Sequence, residues 1–155
     1  QKDEIDERTG LPLFSQFYRM LDEETRNTGI QKGSFSIILI ELINFGWIQE
    51  NHGADNAKSI IRSISESLES LSERNVHCFQ YKEDSQIALL IPSVDFDGVS
   101  LFSLEALEKL NSGNWEIEGD AIPVEAVIGF SVFSGGDTPD SLLEQAESLL
   151  EMQRV

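Results

Sequence analysis

Positive charge is scarce in this chain. Eleven Lys and Arg stand against twenty-eight Asp and Glu in 155 residues, a formal net charge of −17. That balance argues against non-specific binding of nucleic acid and against direct contact with an anionic membrane surface. It also makes a nucleoside triphosphate costly to hold unless metals or a local basic pocket compensate. Cysteine is almost missing: Cys78 stands alone, so no internal disulfide is possible and nothing suggests a secreted scaffold. With Val76 and Phe79 beside it, Cys78 reads as a small core residue. No run approaches the about eighteen apolar residues of a membrane span, and the longest, SIILIELI, is strand-sized and interrupted by charge. The opening QKDEIDERTG lacks the basic-then-apolar order of a signal peptide. It reads as the trailing end of a linker or helix, which sets residues 1–5 apart as a linker remnant and leaves 6–155 as one domain.

What is present is a full core. Hydrophobic residues make up 40% of the chain, with nine phenylalanines, enough for one well-packed domain and too little for two. From Pro12 to about Arg26 the residues Phe14, Phe17, Tyr18 and Leu21 fall at helical spacing, and NTGIQKG then reads as a loop. SFSIILIELINF is continuous and branched in its middle, as expected of a strand buried on both faces. Ile60, Ile61, Ile64, Leu68 and Leu71 mark an amphipathic helix from Ala54. VHCFQY and IALLI are two short strands around KEDS, a candidate hairpin. LFSLEALEKL predicts a third helix ending near Asn111 and Gly113, and IPVEAVIGFSVF a further strand. In GGDTPDSLLEQAESLLEM, Thr138 or Asp140 is placed to cap a last helix. Helices recurring between buried strands predict an α+β (α/β-like) domain with a single mixed sheet.

In order along the chain, several segments resemble the GGDEF family, bacterial domains that make the second messenger cyclic di-GMP from two GTP molecules. DERTGLP is similar to the family's opening D-x-L-T-G-L-P, with Leu13, Phe14 and Ser15 where Asn-Arg-Arg would stand. IELINFGWIQENHGADNAK tracks D-x-D-x-F-K-x-I-N-D-x-x-G-H-x-x-G-D. IALLIP is similar to the strand after the signature, VEAVIGFS to the late T-V-S-I-G strand, and LLEQAESLLEMQR to the closing helix. The resemblance covers essentially the whole chain. It implies a ferredoxin- or palm-like fold, a central mixed or antiparallel five-stranded sheet surrounded by helices.

The departures from the pattern fall on the family's chemistry. Glu83-Asp84-Ser85-Gln86-Ile87 stands where the signature Gly-Gly-Asp/Glu-Glu-Phe would be. Its glycines let backbone approach phosphate, and Ser85 offers a hydroxyl where a metal-binding acid is implied, a poor donor for a hard divalent cation. Glu41 takes the place of the first metal-binding aspartate and Ile43 that of the second. Gly46 replaces a phosphate-side lysine. Gln49 stands for the guanine-reading asparagine, and Lys58 for a guanine-reading acid, a donor where an acceptor is needed. Arg154 substitutes for a phosphate-contacting lysine. The product-binding Arg-x-x-Asp is implied at Arg74 to His77, with the arginine kept and His77 in place of the acid. Phosphoryl transfer needs positioned metals and positive charge around the phosphates. These departures therefore predict a domain with no catalytic residues, no resident metal and no cofactor.

Other candidates are weaker. His52, Glu50 and Asp55 fit no zinc-ligand spacing, and His52 reads as part of a loop-like segment. Ser85 has no nucleophile elbow around it, and the Gly-Gly-Asp of SGGDTPD serves a turn before a helix. Trp47 either fills a vacant pocket or docks a partner, and Trp115 is equally open. The expected function is a catalytically inactive regulatory or interaction domain of a larger bacterial signalling protein in cyclic di-GMP signalling. Its implied partners are adjoining sensor or effector domains of the same polypeptide, among them a cyclic di-GMP phosphodiesterase-like domain, with a homodimer left open. Its implied place is the cytoplasm, whether or not the parent protein is membrane-anchored. The alternatives are a domain that binds GTP or cyclic di-GMP without turnover, and a weak enzyme on another nucleotide.

Overall fold

The structure, a computed structural model, describes residues 5–31, 33–71 and 76–154. The chain runs α1 (Phe14–Gln31), β1 (Phe35–Leu42), α2 (Phe45–His52), α3 (Ala54–Ser70), β2 (His77–Gln80) and β3 (Gln86–Pro92). It continues with α4 (Phe96–Ser112), β4 (Trp115–Ile117), β5 (Asp120–Ile122), β6 (Ala126–Val132) and α5 (Pro139–Gln153). The main sheet is ordered β2-β3-β1-β6 and every pairing in it is antiparallel. Four strands form this sheet, while β4 and β5 pair only with each other.

β1 lies at the sheet's interior and is covered on both faces, which accounts for its unbroken run of branched residues. Alternate residues feed two cores. Ile38, Ile40 and Leu42 join Ile87, Leu89 and Ile128 beneath α2, α3 and α4. Phe35, Ile37 and Leu39 join Phe79, Ala88 and Leu90 beneath α1 and α5. α5 lies unusually close to β6 at Gly129. A Cβ there would fall 2.3 Å from the Ala146 carbonyl oxygen and 2.5 Å from the Leu150 nitrogen, so only glycine fits.

Three features differ from the sequence reading. α1 continues through the segment expected to be a loop, because Thr25 and Thr28 are buried and bond back to Leu21 and Glu24 one turn earlier. His52 ends helix α2 rather than sitting in a loop, and Gly53 at φ 91° separates α2 from α3. Before β6 a short hairpin appears, turned by Glu118 and Gly119, both at positive φ as a tight two-residue hairpin turn requires. Trp115 on β4 is a core residue. It is buried and its Nε1–H donates to the Leu110 carbonyl at 2.9 Å. Cys78 is also buried, and burial pushes its thiol pKa up. Thr138 caps α5, accepting from the Ser141 N–H, while the Ser141 hydroxyl accepts from the Thr138 N–H.

The sheet's β2 edge is closed by its neighbours. The outward N–H of Cys78 donates to the Glu69 carboxylate at 3.3 Å, and that of Gln80 to the Pro12 carbonyl at 2.8 Å.

Candidate functional site

The pairing of β1 with β3 sets Glu41 opposite Gln86, at the end of the sheet where the β2–β3 hairpin turns. The Gln86 amide donates to Glu41 Oε1 at 3.3 Å. From the end of α5, the Arg154 guanidinium forms an ion pair with the same oxygen and a second with Glu151. Its hydrogen bond to Glu41 is the main reason its pKa is raised. The Glu41 carboxylate is therefore already bonded to a cation and an amide.

The hairpin is knitted by two glutamines. Glu83 N–H donates to Gln86 Oε1 at 3.1 Å, and Gln80 Nε2 donates to the Glu83 carbonyl at 2.8 Å. The Gln86 N–H reaches that same carbonyl at 3.0 Å, and the Ser85 carbonyl accepts from Leu42 N–H at 3.0 Å. Glu83 and Asp84 are exposed and neither has positive φ. This turn thus needs no glycine, and the Glu83 N–H and carbonyl are spent on bonds within the hairpin. Ile87 points into the core against Ile40 and its neighbours.

A second charged group forms where the loop before α1 meets α3. Ile5 bridges Pro12 and Asp6 N–H donates to the Leu11 carbonyl, closing a tight loop. Asp6 accepts from the N–H groups of Arg8 and Thr9 and pairs with Lys58 at 3.1 Å. Burial pushes the Asp6 carboxyl up, but the bonds from Thr9, Lys58 and Arg8 outweigh it and hold it below the usual value. The bond to Asp6 raises Lys58, opposed by burial and reinforced by the fields of Asp6, Asp84 and Asp55. Arg8 pairs with Asp55 at 3.1 Å.

Similarity to known proteins agrees with this frame. The family model described as "Diguanylate cyclase, GGDEF domain" matches residues 3–154. The chain belongs to the GGDEF domain family. Its fold is similar to that of the FimX GGDEF domain from Pseudomonas aeruginosa, with a TM-score of 0.90 at 15% identity over 97% of this chain and 93% of that one. The GGDEF domain of DgcB from Caulobacter crescentus, solved with c-di-GMP, gives a TM-score of 0.88 at 15% identity over 99% and 91%. Diguanylate cyclase SiaD from Pseudomonas aeruginosa, solved with its activator SiaC, gives 0.87 at 18% identity; the match covers 97% of this chain and 57% of SiaD's. No curated protein sequence matches the chain significantly.

Within this GGDEF domain, the residues that the resemblance assigns to the nucleotide site divide into two sets. Glu41, Gln86 and Arg154 come together, whereas Lys58 pairs with Asp6 and feels Asp84 only through its field. Gly46 and Gln49 lie on the exposed side of α2, and a Cβ at Gly46 would meet nothing within 4 Å. Ile43 and Trp47 are about half exposed, and the Trp47 ring meets His52 edge-on at 6.0 Å. His77 opens β2 and is exposed, whereas Arg74 lies outside the described residues.

The donors do not fit a pair of divalent cations. The one carboxylate, Glu41, is taken by a guanidinium; its sheet partner is an amide, and Ser85 adds only a hydroxyl. Among the described residues no three His, Cys, Asp or Glu side chains are grouped to hold a metal. Gln80 is the structural participant that the sequence did not announce. Gln86 and Asp6 each had a signal, Gln86 in the signature-like segment and Asp6 as the first residue of DERTGLP, but their bonds to Glu41 and Lys58 were not read from it.

Proposed function

We propose that this GGDEF domain, residues 6–155, is a catalytically inactive regulatory and interaction module of a larger cyclic di-GMP signalling protein. The observation that carries the reading is the Arg154–Glu41–Gln86 cluster, in which a protein cation and an amide occupy the carboxylate that the family resemblance assigns to metal. The engagement of Lys58 by Asp6 supports it. A phosphate arriving at either cation would have to displace a carboxylate, in a chain already carrying −17. Its partners are then proteins: sensor or effector domains of the same polypeptide, a cyclic di-GMP phosphodiesterase-like domain, or a second copy. SiaD, which is similar in fold over 57% of its own chain, is a protein that was solved with a protein activator. No helix among the described residues is long and apolar enough to cross a membrane, and we place the domain's work in the cytoplasm.

Isothermal titration with GTP and with cyclic di-GMP, each with magnesium, tests this directly. No heat and no product are expected from folded protein. Saturable binding without product would favour the nucleotide-sensing alternative, and cyclic di-GMP formed from GTP would overturn both readings. The triple variant Glu83→Gly, Asp84→Gly, Ser85→Asp is expected to stay inactive, because Gly46, Lys58 and Arg154 are unchanged. Product from that variant would show that the defect lies in the signature alone.

A further inference from the structure

Helix α4 is apolar on more than its buried side. Val99, Ser103, Ala106 and Leu110 face the core, and yet Leu101 and Leu104 are 60% and 67% exposed on the opposite face. Their i, i+3 spacing puts them side by side along the helix. Beside Leu101 runs an open groove of about 250 Å³ whose walls include Leu71, Ile91, Val94 and Phe102. The groove's lining is mixed, with Glu105 among its apolar walls, and an exposed pair of large aliphatic residues next to such a groove is the geometry by which one helix receives another. The border is acidic: Asp95 and Asp97 stand at the start of α4 and Glu105 and Glu108 further along it, with Lys109 the one cation on this helix.

We infer that the outer face of α4, with Leu101 and Leu104 as anchors beside this groove, is the docking surface for an amphipathic helix of a partner protein whose apolar face is flanked by Lys and Arg. Charge decides between occupants. A second copy of this chain brings a like-charged α4 face and the same net charge of −17, so self-association here sets carboxylate against carboxylate. A cationic helix instead meets Asp97, Glu105 and Glu108 while the leucines fill its apolar face; the Asp95 carboxylate is engaged in capping α4 through the Gly98 N–H. This inference deepens the interaction-module reading and depends on it only in taking the partner to be a protein.

The test uses two synthetic eighteen-residue helical peptides of one apolar pattern, leucine on one face, with lysine on the other face in the first and glutamate in the second. Binding of the labelled peptides to the 155-residue chain is followed by fluorescence anisotropy. The lysine peptide is expected to bind, and the double variant Leu101→Ser, Leu104→Ser to weaken it at least tenfold with its melting curve preserved. Trp47→Ser, at a separate exposed aromatic, is expected to leave binding unchanged. Equal binding by the double variant would show attraction to bulk acidity and overturn the proposal. So would loss on Trp47→Ser, equal binding of the glutamate peptide, or a dimer in solution that the double variant disperses. GTP turnover measured on the same proteins reports separately on catalytic inactivity, so failure of one reading is not mistaken for failure of the other.

Discussion

Replacing Gly129 by alanine adds one methyl group where α5 crosses β6, and the structure specifies what it meets. The new Cβ would lie 2.3 Å from the Ala146 carbonyl oxygen, 2.5 Å from the Leu150 nitrogen and 2.8 Å from the Leu150 Cβ. Favourable contact between such atoms begins near about 3.5 Å, so the helix must withdraw by roughly 1 Å. Two of the three obstacles are backbone, and no change of rotamer relieves them. Overpacking of this kind costs about 1–3 kcal/mol and sometimes more. Alanine recovers only about 0.5–1 kcal/mol through its smaller loss of backbone entropy in a strand. We expect a net loss of about 1–2 kcal/mol. At about 2–4 °C per kcal/mol for a chain of this size, the melting temperature should fall by roughly 2–8 °C, read by far-ultraviolet circular dichroism. Truncation of Leu150 to alanine should not rescue the variant, since alanine keeps its own Cβ. A Gly129→Ala protein melting within about 1 °C of wild type, or above it, would refute the claim that α5 and β6 are held at backbone contact.

Two further outcomes follow from the charged groups. Arg154→Met should lower stability by no more than about 1 kcal/mol, because a pair with this much solvent contact is weak, and it should not create GTP turnover. A large loss would mean that the Glu41 cluster carries more of the fold than its exposure suggests. Asp6 has its pKa depressed on folding, so its contribution is present above the unfolded value of about 3.9 and is lost as pH falls through the lower folded value. Asp6→Asn should flatten the acid limb of a stability–pH curve. Lys58 is raised, so its contribution is full below about pH 10.4 and is lost as pH climbs through its folded value. Denaturant melts of Asp6→Asn and wild type from about pH 2 to 7 decide the first point, and parallel acid limbs would refute it.

The elements whose residues repeat with one period were legible before any coordinates. β1 declared itself by an unbroken branched run, α3 by isoleucines at helical spacing, and the hairpin around residues 82–85 by two apolar runs with a polar interval. The last part of α1 was hidden because Asn, Thr and Gly are poor helix residues in isolation. They are helical here because Thr25 and Thr28 are buried and bonded within the helix. The β4–β5 hairpin was hidden by strands of only three residues and a Glu-Gly turn in place of the commoner Asn-Gly. In the site, residue identities showed what had been lost from the family pattern. They did not show that Arg154 turns onto Glu41, or that Gln80 and Gln86 hold the hairpin, because each contact joins elements far apart in sequence or spends a side chain on backbone.

The closure of the β2 edge limits how this domain can be joined to others. With the Cys78 and Gln80 N–H groups already given to Glu69 and Pro12, a foreign strand arriving at that edge finds these two donors taken. Backbone pairing is indifferent to the identity of the strand it adds, and a domain open to it would stick to many neighbours, including unfolded ones. On this side association falls to side chains, whose fit and charge differ from partner to partner. Selectivity in a multi-domain regulator then becomes a matter of surface composition, and single substitutions can retune it without disturbing the sheet.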